Sequence, residues 1–208
     1  MLVRPHTTAR RTGLGFSLVE LMVAILVAAI LAAVALPSFR TTLQKHRLRV
    51  SVDNLQSAVQ YARTEAVLRA TYVSLCASAD GATCSTAATY ETGWLVYVHP
   101  VATTKASDVY TTTASAGMQI LRATPALNAV TARAVDGAVV TFGQQGQLEP
   151  VASRTNASQP MALVLCAQNA SSGALGANTT QVPGSRIGIS PYGGIASTKL
   201  SGTDKCTP

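Results

Sequence analysis

Glu20 stands at the head of an apolar run, GFSLVELMVAILVAAILAAVALPSFR, in which no residue from Leu21 to Leu36 carries a polar side chain. A charge at the centre of a bilayer costs roughly 2.5–3.5 kcal/mol on insertion scales, so an acid in such a segment calls for a reason. Its available chemistry is ion pairing: a cation offered by a second helix would turn an expensive group into a docking point in a low-dielectric layer. Cys76, Cys84, Cys166 and Cys206 form the second reactive set. None lies in a C-x-x-C pair and no histidine stands at metal-ligand spacing from them, so no metal is expected and disulfides are favoured. Three pairings are possible. We prefer Cys76 with Cys84, closing a short hairpin loop through SADGAT, and Cys166 with Cys206, tying the C-terminal end to an apolar strand. The histidines, His6, His46 and His99, are scattered, and only His99 falls where it could serve a head-domain site. No G-x-S-x-G elbow, H-E-x-x-H helix or phosphate-binding G-x-x-x-x-G-K-[ST] is present, so neither an enzyme nor a cofactor is expected.

The elements that must position these residues are legible from charge and periodicity. The chain has 208 residues, 48% hydrophobic and 12% charged, with a formal charge of +7. A basic protein of this kind invites a nucleic-acid reading, but the excess is local. Arg4, Arg10 and Arg11 precede the apolar run, and Arg40, Lys45, Arg47 and Arg49 follow it. From Ser51 onward nine basic residues face eight acidic ones, so the remainder is almost neutral. Positive residues before an apolar run hold that end in the cytoplasm and send the rest outward. The run from Phe16 to Leu36, 21 residues, is long enough at 1.5 Å per residue to cross a hydrocarbon core of about 30 Å. It exceeds the apolar region of about 7–15 residues of a cleaved secretory signal. It also lacks the polar face of a buried core helix.

Pro37 removes a backbone hydrogen bond and predicts a kink between Ala33 and Pro37, after which the helix resumes. Leu48, Val52, Leu55, Val59, Ala62 and Ala66 then recur at steps of four and three, an apolar stripe able to pack under a globular domain. After Arg69 the pattern changes to TYVSLCA, GWLVYVH, MQILRA, NAVTARA, GAVVTF, MALVLC, RIGIS and GGIAST, eight short strands separated by Gly, Pro, Asn and Asp. One long helix followed by eight strands predicts an α+β fold with antiparallel sheets packed on the helix. FGQQGQ reads as a turn in which Gly143 or Gly146 supplies the positive φ. Trp94, directly after Gly93, reads as a core or strand-edge aromatic. Asn156, Asn169 and Asn178 open N-x-[ST] sequons, which a composition rich in Asn, Ser and Thr accounts for.

The stretch GFSLVE, with Arg10 and Arg11 before it, the carboxylate of Glu20 four places after Phe16 and Pro37 at the far end of the run, resembles the processing site of type IV pilins and type II secretion pseudopilins. The resemblance implies cleavage between Gly15 and Phe16 by a prepilin peptidase, which also N-methylates Phe16. The freed amine would lie about 6 Å along the axis from Glu20. LCASADGATCSTAATYETGWLVYVHP, FGQQGQ, LVLCAQ and SRIGISPYGGIAST look like the GspH/FimT group of minor pilins and pseudopilins, which implies a role in initiating a pilus or near its tip or, for the secretion homologue, in a short pseudopilus. The implied layout is a leader over 1–15, a membrane and assembly helix over 16–36, its amphipathic continuation over 37–69 and a β-rich head over 70–208. The implied setting is the bacterial inner membrane and then a pilus or pseudopilus, with other major and minor pilins as partners. Some FimT-type pilins bind DNA through a C-terminal glycine-arginine motif; here Gly193-Gly194-Ile195 lacks the arginines. Arg186, Lys199 and Lys205, with Tyr192 for stacking, are the residues left to contact DNA.

Overall fold

The structure, a computed structural model, describes residues 16–101, 105–113, 117–135, 137–151, 159–168 and 175–207. It separates into two units, residues 1–40 and 41–208. Helix α1 (Leu18–Arg69) contributes to both and is helical through Pro37.

In the second unit the stripe from Leu48 to Ala66 is buried at every expected position, none more than 6% exposed. Ala58 joins it at 1%, being three residues after Leu55 and four before Ala62 and therefore on the same face. The helix ends where Ala70 takes a left-handed conformation, φ 49°. The Thr71 N–H then donates to the Ala66 carbonyl, closing the last turn.

Eight strands follow among the described residues: β1 (Val73–Ala77), β2 (Trp94–Val98), β3 (Gln119–Thr124), β4 (Val130–Ala134), β5 (Val139–Phe142), β6 (Met161–Ala167), β7 (Ser185–Ile189) and β8 (Ile195–Lys199). They form two four-stranded antiparallel sheets, ordered β3-β2-β1-β5 and β4-β6-β7-β8. Consecutive strands β4 and β5 therefore sit in different sheets. The inner faces of both sheets and the α1 stripe share one core, with Trp94 and Phe142 from the first sheet and Leu163 and Ile187 from the second. Burying these side chains removes apolar surface from water at about 25 cal/mol per Å², the main force joining helix to sheets.

The outer face of the first sheet is covered as well. Cys76, Leu95, Tyr97 and Val139 pack there with Met118 and Val151. Strands β1 and β2 are thus buried along their whole length, which is why VSLCA and WLVYV lack a polar alternation. Gly93 enters β2 at φ 114°, and a Cβ there would lie 2.6 Å from the Thr124 carbonyl oxygen, so only glycine fits. In FGQQGQ it is Gly146, φ 76°, that supplies the left-handed turn residue, and Arg63 Nε of α1 donates to its carbonyl at 3.0 Å.

Candidate functional site

The first unit presents an apolar helix surface that none of its described residues covers. Phe16 is 80% exposed, and Leu21, Met22, Ile25, Leu26 and Ile30 are all exposed. An uncovered patch of this extent marks a surface that meets lipid or another helix. Glu20 sits at its N-terminal end. Its backbone N–H donates to Ser17 Oγ at 3.2 Å, which makes Ser17 the cap and Glu20 the third helical residue of an S-x-x-E capping pattern. The acid is therefore placed where the helix dipole favours negative charge. Among the described residues its carboxylate has no hydrogen bond or ion pair. The S-L-V-E spacing in the sequence encodes this cap in addition to supplying the acid. Gly15, Arg10, Arg11 and His6 lie outside the described residues.

The cysteines are bonded as Cys76–Cys84 and Cys166–Cys206, with Cα separations of 5.6 and 5.9 Å. Asp80 organises the loop inside the first: Oδ1 accepts the N–H groups of Ala82 and Thr83 at 2.9 and 2.8 Å, and Oδ2 accepts the Thr83 hydroxyl at 2.7 Å. The Thr83 hydroxyl, followed by the two amides, holds the Asp80 carboxyl well below the usual carboxylate range. The second disulfide carries the C-terminal tail onto the outer face of the second sheet, where Cys166 and Cys206 pack with Val164 and Leu200. Asn178 clamps the same tail by donating from Nδ2 to the carbonyls of Ser201 and Asp204 at 2.6 and 2.9 Å. Its sequon therefore has a structural use. Asn156 and Asn169 lie outside the described residues.

His99 is the one histidine with a polar network in the head, and the network is internal. Its Nε2 is 2.8 Å from Ser74 Oγ, which is 2.7 Å from Thr141 Oγ1. Ser74 and His99 are 0% and 1% exposed, so the pair is closed off from solvent. Burial pushes the imidazole pKa down to about 4, with the Asp108 charge opposing the shift. Among the described residues no group of three or more His, Cys, Asp or Glu side chains is placed to hold a metal ion.

The structure separates the residues considered for DNA contact. Arg186 pairs with Thr198 and Lys199 with Ser185 across the β7–β8 ladder, so the two cations point to opposite faces of the hairpin. Arg186 lies near Asp204, whose carboxyl is lowered chiefly by the Ser201 amide and in part by that guanidinium. Tyr192 is 86% exposed at the hairpin turn, and Lys205 is exposed on the tail. Gly193, where the arginine-bearing motif would fall, packs against Gly146, leaving no room for a Cβ.

Comparison with known proteins places this architecture. The family described as type II transport protein GspH matches residues 51–193, and the prokaryotic N-terminal methylation motif matches residues 10–36. No curated protein matches the sequence. Among solved structures, the type IV minor pilin FimU of Pseudomonas aeruginosa shares 19% identity over 78% of this chain and 96% of its own, with a TM-score of 0.50. The minor pseudopilin EpsH of the Vibrio cholerae type 2 secretion system shares 8% identity over 74% of this chain and 97% of its own, with a TM-score of 0.41. The likeness to FimU shows the shared fold. The family match spans more than half of the chain and follows, C-terminally, the methylation motif on the apolar helix. The chain therefore belongs to the GspH family of type IV minor pilins and pseudopilins, non-enzymatic structural subunits.

Proposed function

We propose that this chain is a minor pilin that takes part in initiating a type IV pilus and is held in the fibre through Glu20. A prepilin peptidase cuts between Gly15 and Phe16 and methylates the new amine. The basic N-terminal flank keeps that end cytoplasmic, and the head faces the periplasm. Before assembly the helix over 16–36 crosses the inner membrane; in the fibre it packs among the helices of sibling pilins, with a bend at Pro37. The observation that carries the reading is the carboxylate of Glu20, unpartnered among the described residues at the end of an exposed apolar helix. The N-terminal cation of an adjacent subunit satisfies it in the low-dielectric layer, which sorts incoming helices by register.

Two measurements test this. Deleting the peptidase should leave a slower-migrating precursor with an intact Gly15–Phe16 bond. Glu20→Ala should lower incorporation into sheared fibres by about tenfold, the equivalent of about 1.4 kcal/mol, while the head keeps its urea midpoint. Normal incorporation of Glu20→Ala would end the docking role. Membership of the family of type II transport protein GspH favours a second reading as a secretion pseudopilin. Deletion followed by scoring pili and enzyme export together separates the two.

A further inference from the structure

Strand β8 closes the second sheet on one side only. The bonds Leu200 N–H to Gly184 O and Ser190 N–H to Gly194 O, both 2.8 Å, set the alternation of the ladder. The backbone groups of residues 194, 196, 198 and 200 therefore face β7, and those of Ile195, Ser197 and Lys199 face away. Among the described residues the outward groups have no backbone partner. An open edge of this kind is a template for another strand.

This edge borders a cleft of about 730 Å³ whose opposite wall is the α1 face carrying Lys45, Arg49 and Asp53. Lys199 and Ser197 line it from the β8 side. Three cations thus oppose one carboxylate, and among the described residues none of the four makes an ion pair. An uncompensated positive cleft beside a free strand edge combines backbone pairing for affinity with charge for selectivity. Among the described residues a second copy of this chain has no acidic strand to offer, since none of its eight described strands contains Asp or Glu.

We propose that the β8 edge and the Lys45–Arg49–Lys199 cleft dock an extended, carboxylate-bearing segment of a sibling pilin subunit, added as a further strand beside β8. This rests on the pilin reading and names the head-to-head contact that the helix alone does not provide.

The test uses the full-length chain in detergent with a synthetic alternating valine–glutamate octapeptide, an alternating valine–lysine octapeptide and an oligothymidine as probes. The glutamate peptide should bind and perturb the amide resonances of Ser197 and Lys199. Ser197→Pro removes an outward N–H while leaving the bonds to β7, and should weaken binding by about tenfold or more, whereas Ser197→Ala should not. The double variant Lys45→Glu with Arg49→Glu, on an exposed helix face, should weaken it comparably and carries the test if the proline variant fails to fold. Equal binding of the lysine peptide or the oligothymidine, or glutamate-peptide binding unchanged by the charge reversal, overturns the proposal. In cells the charge-reversed chain should still be cut at Gly15–Phe16 and reach the fibre fraction, with reduced cross-linking to siblings. Undiminished cross-linking sinks the cleft alone, whereas an uncut wild-type chain in functional fibres sinks the pilin reading instead.

Discussion

From Leu21 to Leu36 helix α1 is apolar on every side, and its described side chains are exposed; from Leu48 to Ala66 it is apolar along one face, and that face is buried. The difference lies in how the apolar residues are distributed around the axis rather than in how many there are. A full apolar circumference cannot be covered by one domain and suits lipid or a bundle of equivalent helices, while a stripe of about 100° matches the width of a sheet's inner face. The interrupting residues follow the same logic. Glu20 stands at the capped end of the first stretch, whereas Gln56 and Gln60 line the second away from its buried face and Arg63 borders that face, bonded to the Gly146 carbonyl.

Matched truncations test this contrast most severely. Leu55→Ala should cost the head about 2–5 kcal/mol, read from urea unfolding through the fluorescence of Trp94, the chain's one tryptophan. Leu26→Ala, at a residue 63% exposed, should leave that midpoint within about 0.5 kcal/mol. Equal losses would erase the distinction between the two stretches. Next in size is the C-terminal staple. Replacing Cys166 and Cys206 by serine opens a 40-residue span and should cost about 2–4 kcal/mol, roughly 1–1.5 kcal/mol more than opening the 8-residue span of Cys76 and Cys84.

Acid provides a finer test. His99 binds its proton near pH 4 in the folded head and at its ordinary value of 6.5 when unfolded. As pH falls below 6.5 the unfolded chain protonates first, so head stability is intact above 6.5 and declines down to about 4. His99→Gln should flatten that segment of the stability–pH curve, and an unchanged slope would assign it to other groups. The smallest effect is expected at Asp80, whose lowered carboxyl pKa contributes stability above the ordinary carboxylate value that is lost as pH falls below it. Asp80→Asn should loosen the Cys76–Cys84 loop, seen as faster amide exchange at Ala82 and Thr83, with little change in the global midpoint.

Much of this could be read from residues alone because the signals are local. The steps of four and three located the buried helix face, omitting Ser51 and Ala58, and the β-branched runs located the eight described strands. Which strands share a sheet was not legible. The exchange of β4 and β5 between sheets depends on which faces close over α1, a long-range choice that alternation within a strand does not encode. The relative placement of the candidate DNA contacts was illegible for a related reason: Arg186 and Lys199 lie close in the sequence, and only the register of β7 against β8 sets them on opposite faces.

By itself, then, the sequence determined the apolar helix with its acid, the processing motif, the helix stripe and the strand inventory, since each depends on chemistry within a few residues. Only the tertiary structure decided the sheet order, the burial of His99 with Ser74, the glycine contact between Gly146 and Gly193, and the open edge of β8 beside Lys45 and Arg49. Those features bring together residues distant in the chain, and their partners are chosen by how faces pack rather than by their neighbours in sequence.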